Sequence, residues 1–313
     1  MADVATTLSS LPRAAILHAA ESGRLQRLAQ SHGKRVGAAR FVAGETLDEC
    51  VAVLHKLNDA GLHANTALLG EAIPDAEGAA AITDEFERIV ERLVAEDLRA
   101  NVSLKLTHLG LTFDEEVAYE NVARLAARAG ELGTFVRIDM EQSDYVDVTL
   151  RIFERLRDTG QGSVGTVLQS YLYRTVDDLE RLLPLAPNLR IVKGAYLEPA
   201  TIAYPDKADV DRAYVELVQR GLRGGAYIAI ATHDEAIIRQ VQAFTAREEI
   251  PRDRFEFQML YGVRPGLQRS VAADGYKVLV ATPFGPDWYP YLMRRLAERP
   301  ANVGFFLKNL VRR

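Results

Sequence analysis

On a helix, Tyr291 lies one turn from Arg294 and Arg295, so an aromatic ring and two guanidinium groups share a face. Two neighbouring guanidinium forks beside a ring make a receptor for a small carboxylate with an apolar body. Glu298 follows Arg294 by four residues and Arg295 by three, where it can hold one fork and offset the repulsion between the two. The same spacing also describes a solvated amphipathic helix with ordinary i,i+4 pairs. Position in the chain separates the two.

Ahead of that helix, residues 63–69, 102–107, 134–140, 164–170, 189–195, 227–232, 255–260 and 277–281 read as short buried strands. Segments 83–99, 113–132, 145–159, 176–183, 208–222, 235–247, 265–273 and 288–299 have helical periodicity or composition. This alternation predicts an α/β protein, a closed parallel (βα)8 barrel of the TIM type. An open doubly wound sheet is the competing arrangement, but it usually carries a glycine-rich phosphate turn, and neither GxGxxG nor a Walker sequence occurs. Residues 11–30 form a rough helical stripe through Leu11, Ala14, Ala15, Leu17, Leu25 and Leu28. Thr46 with Glu49 three residues on reads as a capping box opening a second helix that stops between Asn58 and Gly61. The expected organisation is an N-terminal helical extension, 1–61, packed on a catalytic barrel, 62–313.

In such a barrel the active site lies at the C-terminal ends of the strands, where polar side chains carry most weight. Lys105, Asp139, Gln169, Arg190, Lys193, Thr232, His233, Asp234 and Gln258 all fall in or just after predicted strands. Buried charges must pair with one another or with a ligand. Lys105 with Asp139 would be one internal pair, but six strands carrying such groups favour a ligand. Lys105, Arg190, Lys193, Arg294 and Arg295 outnumber Asp139 and Glu298, although the chain has a net charge of -5. A positive pocket in a negative protein expects an anion. Phosphate, pyrophosphate and carboxylate all qualify.

The 313 residues, 48% apolar and 26% charged, have the composition of a soluble globular protein. The acidic balance argues against nucleic acid as a partner. Cys50, the only cysteine, permits no intrachain disulfide and fits a reducing compartment. The six histidines include no i,i+4 pair and no HExxH, so no metal site is expected. No apolar run is long enough to span a bilayer, and the opening residues lack the charged region of a signal peptide.

The runs SLKL (103–106), RID (137–139), RIVKGAY (190–196), ATH (231–233), FEFQML (255–260) and YLMRRLAE (291–298) together resemble proline dehydrogenase. The likeness is to the bacterial monofunctional form and the equivalent domain of proline utilization A, and it covers nearly the whole barrel. It implies a distorted (βα)8 flavoprotein that binds FAD and oxidises L-proline to Δ1-pyrroline-5-carboxylate. The electrons would pass to a membrane quinone, ubiquinone or menaquinone. The place implied is cytoplasmic or peripheral on the inner face of the plasma membrane.

By the same resemblance, Arg294, Arg295 and Lys105 would bind the proline carboxylate, with Glu298 holding the arginines. Tyr291, Tyr196 and Leu260 would enclose the ring, and Tyr291 would crowd the hydroxyl position of a hydroxyproline. Arg190 and Gln169 are expected at the flavin ring. Met140, Val167, Lys193, Gly194, Ala195, Lys207, Ala231, Thr232, His233, Asp234 and Gln258 are expected along the rest of FAD. Asp139 would brace the floor, and Glu71 matches the family's acidic gate. The family's eighth strand usually carries a tyrosine shortly before a Pro-x-Gly turn, whereas this chain offers Leu279 or Ala281. Two other readings of the residues stand beside this one. One is a Schiff-base aldolase or phosphate-binding lyase using Lys105 or Lys193; the other is a binding module whose polar strand ends are structural ion pairs.

Overall fold

The computed structural model describes residues 40–70 and 72–298, with side chains up to residue 293. The helix expected over 11–30, the segment 299–313, Glu71, and the side chains of Arg294, Arg295 and Glu298 lie outside the described part.

Eight parallel strands pair in sequence order and close, β8 against β1. They are β1 (His63–Leu68), β2 (Ala100–Leu104), β3 (Val136–Ile138), β4 (Val164–Gln169), β5 (Asn188–Val192), β6 (Tyr227–Ala231), β7 (Phe255–Leu260) and β8 (Val278–Phe284). The described helices are α1 (Leu47–Asp59), α2 (Ala76–Ala95), α3 (Glu115–Glu131), α4 (Val146–Asp158), α5 (Thr175–Leu182), α6 (Lys207–Arg223), α7 (Glu235–Arg247), α8 (Pro265–Ala273) and α9 (Trp288–Glu298). The expected (βα)8 barrel is therefore the observed one. Alternate strand residues such as Val102, Ile138, Leu168, Ile191, Ile228, Phe257 and Val280 are buried against the apolar stripes of the surrounding helices. The opposite parity lines the barrel interior.

Several boundaries differ from the periodicity. Helix α2 begins at Ala76 because the Asp75 side chain accepts the Gly78 N–H at 2.8 Å, a cap hidden ahead of an alanine-rich first turn with no stripe. It ends at Ala95, and Asp97 turns left-handed at φ 51°. Strand β2 stops at Leu104, and β5 at Val192, so Lys105 and Lys193 stand just beyond strand ends. Half of the expected capping box forms: Thr46 accepts from Glu49 N, but the Glu49 carboxylate takes the Glu45 N–H.

Helix α1 lies against the outer faces of β1 and β8, the slot a last barrel helix would otherwise fill. Helix α9 is docked elsewhere. Trp288, Tyr289 and Leu292 pack with Phe41 and Val42 and against Leu69 and Val263, which follow the C-terminal ends of β1 and β7. The segment 40–45 acts as a strap: Ala43 N donates to Pro283 O (2.8 Å), Gly285 N to Gly44 O (3.0 Å), and Trp288 Nε1 to Glu45 Oε1 (3.1 Å). The helix that carries the paired arginines thus begins at the barrel mouth.

Candidate active site

TIM barrels usually fill their interiors with branched apolar side chains; this one is polar through most of its depth. Arg190, on β5, is the hub. Its Nε donates to Gln258 Oε1 (2.5 Å), Nη1 to Asp139 Oδ1 (2.8 Å), and Nη2 to both Asn65 Oδ1 (3.0 Å) and Ser103 Oγ (3.1 Å). Four strands and the residue just after β3 therefore meet on one guanidinium. Burial pushes its pKa down, and the Asp139 and Glu256 carboxylates oppose that shift. The internal partner of Asp139 is this arginine, not the Lys105 that strand order alone allowed.

Below the hub, Glu256 Oε1 accepts from Gln258 Nε2 (2.6 Å). Its other oxygen takes the Tyr227 hydroxyl (2.8 Å) and the Lys277 ammonium (2.8 Å). A carboxylate can only accept, so Glu256 fixes which end of the Gln258 amide faces Arg190. Arg137, on β3, occupies the same floor and bonds to Thr166 O and to Asn188.

Around the mouth, Gln169 donates to Glu141 O (3.2 Å), while its Oε1 is buried with no hydrogen-bond partner among the described residues. Glu141 itself takes the Thr107 N–H (3.2 Å) and hydroxyl (2.8 Å). Lys193 reaches Asp211 at 2.5 Å and Asp234 at 3.5 Å; Lys207, on the first turn of α6, pairs with Asp211 and lies 3.8 Å from Asp234. Burial works against the Asp211 charge, but Lys193 and Lys207 hold its carboxyl below the usual range. Asp234 also caps α7 through Ala236 N. His233 Nε2 accepts the Leu260 N–H (2.9 Å), so a neutral ring carries its proton on Nδ1. Thr232 is buried beside it, its hydroxyl accepting from Asp234 N (3.1 Å).

Gly194 bends the loop after β5 at φ 109°, and a Cβ there would overlap the Tyr171 ring. Ala195 is exposed and Tyr196 half-buried beyond it. Val167 sits in register with Arg190, and Ala231 with Gln258; Met140 is buried just after β3. Lys105 opens the short turn after β2, and Tyr291 packs at the edge of the strap cluster. Ala281 and Leu279 both face inward. Ala281 is the one nearer the mouth, level with Asn65 and Leu260.

Asp139, Arg190 and Gln258 are therefore in direct contact, and Lys193, Lys207 and Asp234 form a second cluster. Asn65, Ser103, Arg137 and Glu256 belong to the same interior and were not singled out by the sequence reading. Three of them, Ser103, Arg137 and Glu256, precede Lys105, Asp139 and Gln258 by two residues. That spacing places both on one face of a strand and was the available signal.

An eight-stranded parallel barrel with a polar interior and clustered charged groups at its strand C-termini has the form of a (βα)8-barrel enzyme. The model of the proline dehydrogenase family matches residues 50–308. The chain is 43% identical over 309 residues to proline dehydrogenase of Deinococcus radiodurans, covering 97% of this chain and 99% of that one. It is 39% identical over 301 residues to proline dehydrogenase 1 of Bacillus subtilis, covering 96% and 99%. A solved structure of proline utilization A from Bdellovibrio bacteriovorus, inactivated by N-propargylglycine, superposes with a TM-score of 0.79 at 25% identity, over 85% of this chain and 33% of that one. The chain belongs to the proline dehydrogenase family. Among the described residues no helix is long and apolar enough to cross a membrane.

Proposed function

We propose that this proline dehydrogenase works with FAD, oxidises L-proline to Δ1-pyrroline-5-carboxylate and delivers the electrons to a membrane quinone, ubiquinone or menaquinone. The observation that carries the flavin reading is the mouth itself. Gln169 holds a buried acceptor with nothing to bond among the described residues, beside an arginine fixed by four partners. An acceptor and a rigid cation suit a heterocycle that offers N–H groups and gains negative charge on reduction. Gly194 leaves open a wall that any Cβ would fill. When bound, FAD supplies the hydride acceptor. Arg190 and Gln169 would hold its ring, Val167, Met140 and Ala231 its apolar surroundings. Lys193, Lys207, Gly194, Ala195, Thr232, His233, Asp234 and Gln258 would hold the rest.

The chain's residues then have to orient a small rigid substrate and exclude water. Arg294, Arg295 and Lys105 grip the proline carboxylate, and Glu298 steadies the arginines. Tyr291, Tyr196 and Leu260 cover the ring, Asp139 keeps Arg190 in place, and Glu71 pairs with Arg294 to close the entrance. Residues 1–61 form the extension that packs on the barrel of 62–313. The protein is cytoplasmic and docks peripherally on the inner face of the plasma membrane to meet its quinone.

Anaerobic titration with L-proline is the test: a yellow protein whose flavin bleaches is expected, and N-propargylglycine should inactivate it. A colourless protein that binds no FAD would refute the reading, and borohydride trapping of a substrate on Lys105 or Lys193 would replace it with a Schiff-base lyase. Replacing Arg295 by Met should weaken proline binding by about 1.5–3 kcal/mol, the worth of a charge-assisted contact. An unchanged KM for proline would remove the clamp.

A further inference from the structure

Among the described residues, the charged groups inside the barrel do not all pair directly. Asp139 is answered by Arg190, and Glu256 by Lys277, each at 2.8 Å. That leaves Arg137, 1% exposed, with no carboxylate at ion-pair distance among the described residues. Its Nη1 donates to Thr166 O (3.0 Å) and Asn188 O (3.4 Å), its Nη2 to Asn188 Oδ1 (2.6 Å), and its Nε meets no acceptor. Room for it is made by Gly165, where a Cβ would come within 3.2 Å of Nη1. Burial first, and Arg190 second, push its pKa down to about 9, against the opposing pull of the Glu256 and Asp139 carboxylates, and it stays charged at neutral pH.

A buried charge with no carboxylate in direct contact lowers stability, and an apolar side chain of similar volume usually does better. Retaining one therefore calls for another reason. Arg137 precedes Asp139 by two residues on β3 and sits in register with Ser103, which bonds Arg190. Arg137 therefore stands one interior layer, about 7 Å along the chain, below Asp139, the carboxylate that holds Arg190.

We propose that Arg137 is an electrostatic positioning residue: a fixed positive charge under the flavin that favours its reduced, more negative form without touching it. The proposal rests on the reading that a flavin lies over Arg190. Unlike the arginines of α9, this one would act on the cofactor and leave substrate affinity alone.

The test uses the full-length, flavin-loaded protein and its Arg137→Met and Arg137→Lys variants. Thermal melting is recorded, and the flavin is equilibrated with a reference dye during slow anaerobic reduction by xanthine and xanthine oxidase. Arg137→Met should melt no lower than the wild type, while its equilibrium constant for reduction falls roughly tenfold, the worth of a unit charge at about 10 Å in a protein interior. Arg137→Lys, which keeps the charge, should stay within about twofold of the wild type. Arg137→Met overturns the proposal if it melts below the wild type, fails to fold or hold flavin, or leaves the equilibrium constant unchanged. A wild-type protein that takes up no flavin refutes the functional reading and this proposal with it; a flavin-loaded wild type isolates the charge.

Discussion

Replacing Glu256 by glutamine keeps the shape of the barrel floor and removes its negative charge. Glu256 is 2% exposed, and its carboxylate is engaged by Lys277 at 2.8 Å, the Tyr227 hydroxyl at 2.8 Å and Gln258 Nε2 at 2.6 Å. Removing one partner of a fully buried ion pair costs about 3–5 kcal/mol. The Lys277 side chain is 41% exposed and can turn towards water, so a loss of roughly 2–3 kcal/mol is expected here. The pH dependence gives a second signature. Burial raises the Glu256 pKa, but Lys277, Gln258 and Arg137 together outweigh it and the net shift is downward. A carboxylate with a depressed folded-state pKa contributes stability that is complete above its unfolded pKa of about 4.3 and is lost as pH falls through the folded value. The gap between wild type and Glu256→Gln should therefore be full at neutral pH and shrink on acidification below about pH 4. Urea unfolding followed by circular dichroism, at neutral pH and along the acid limb, measures both. Equal stability at neutral pH, or a gap that stays constant on acidification, would refute an electrostatic role for Glu256.

Other expectations are simpler to state. Gly194→Ala should lose flavin affinity, because φ 109° strains any Cβ by about 1–3 kcal/mol and the new methyl meets the Tyr171 ring. A Tyr171→Ala partner change should recover only the steric part; wild-type FAD affinity in Gly194→Ala would show that the loop is not shaped by this glycine. Cys50 is fully buried, and burial, opposed by its hydrogen bond to Thr66, pushes its thiol up to about 11. Thiol reagents at pH 8 should label it only as fast as the protein opens, and rapid labelling of the native protein would contradict this burial. On the outer ring, Arg155 and Glu116 pair at 2.5 Å across α4 and α3 but are about half exposed, so Arg155→Ala should cost no more than about 1 kcal/mol in urea.

Much of this was legible in the chain. The αβ alternation fixes the fold class because period 2 and period 3.6 are local properties of a segment. Strand β7 and helices α7 and α8 fall where the periodicity puts them, since each is bounded by its own turn residues. The polar residues of the site were visible too, because a charge in an otherwise apolar run stands out: Asp139, Arg190 and Gln258 are in contact. The start of α2 was not visible, because its cap at Asp75 precedes alanines that form helix without displaying a stripe.

What the sequence by itself determined is therefore the barrel, its family and the list of groups available for chemistry, for those depend on residue type and order along the chain. Tertiary structure alone decided who pairs with whom. Arg190 takes Asp139, Gln258, Asn65 and Ser103 from four other strands or their ends, which leaves Arg137 with no carboxylate at ion-pair distance among the described residues, and the strap at 40–45 sets α9 at the mouth. Closing the sheet brings together residues more than a hundred positions apart. Which charges neutralise one another is then a matter of distance in space, and no local pattern carries that information.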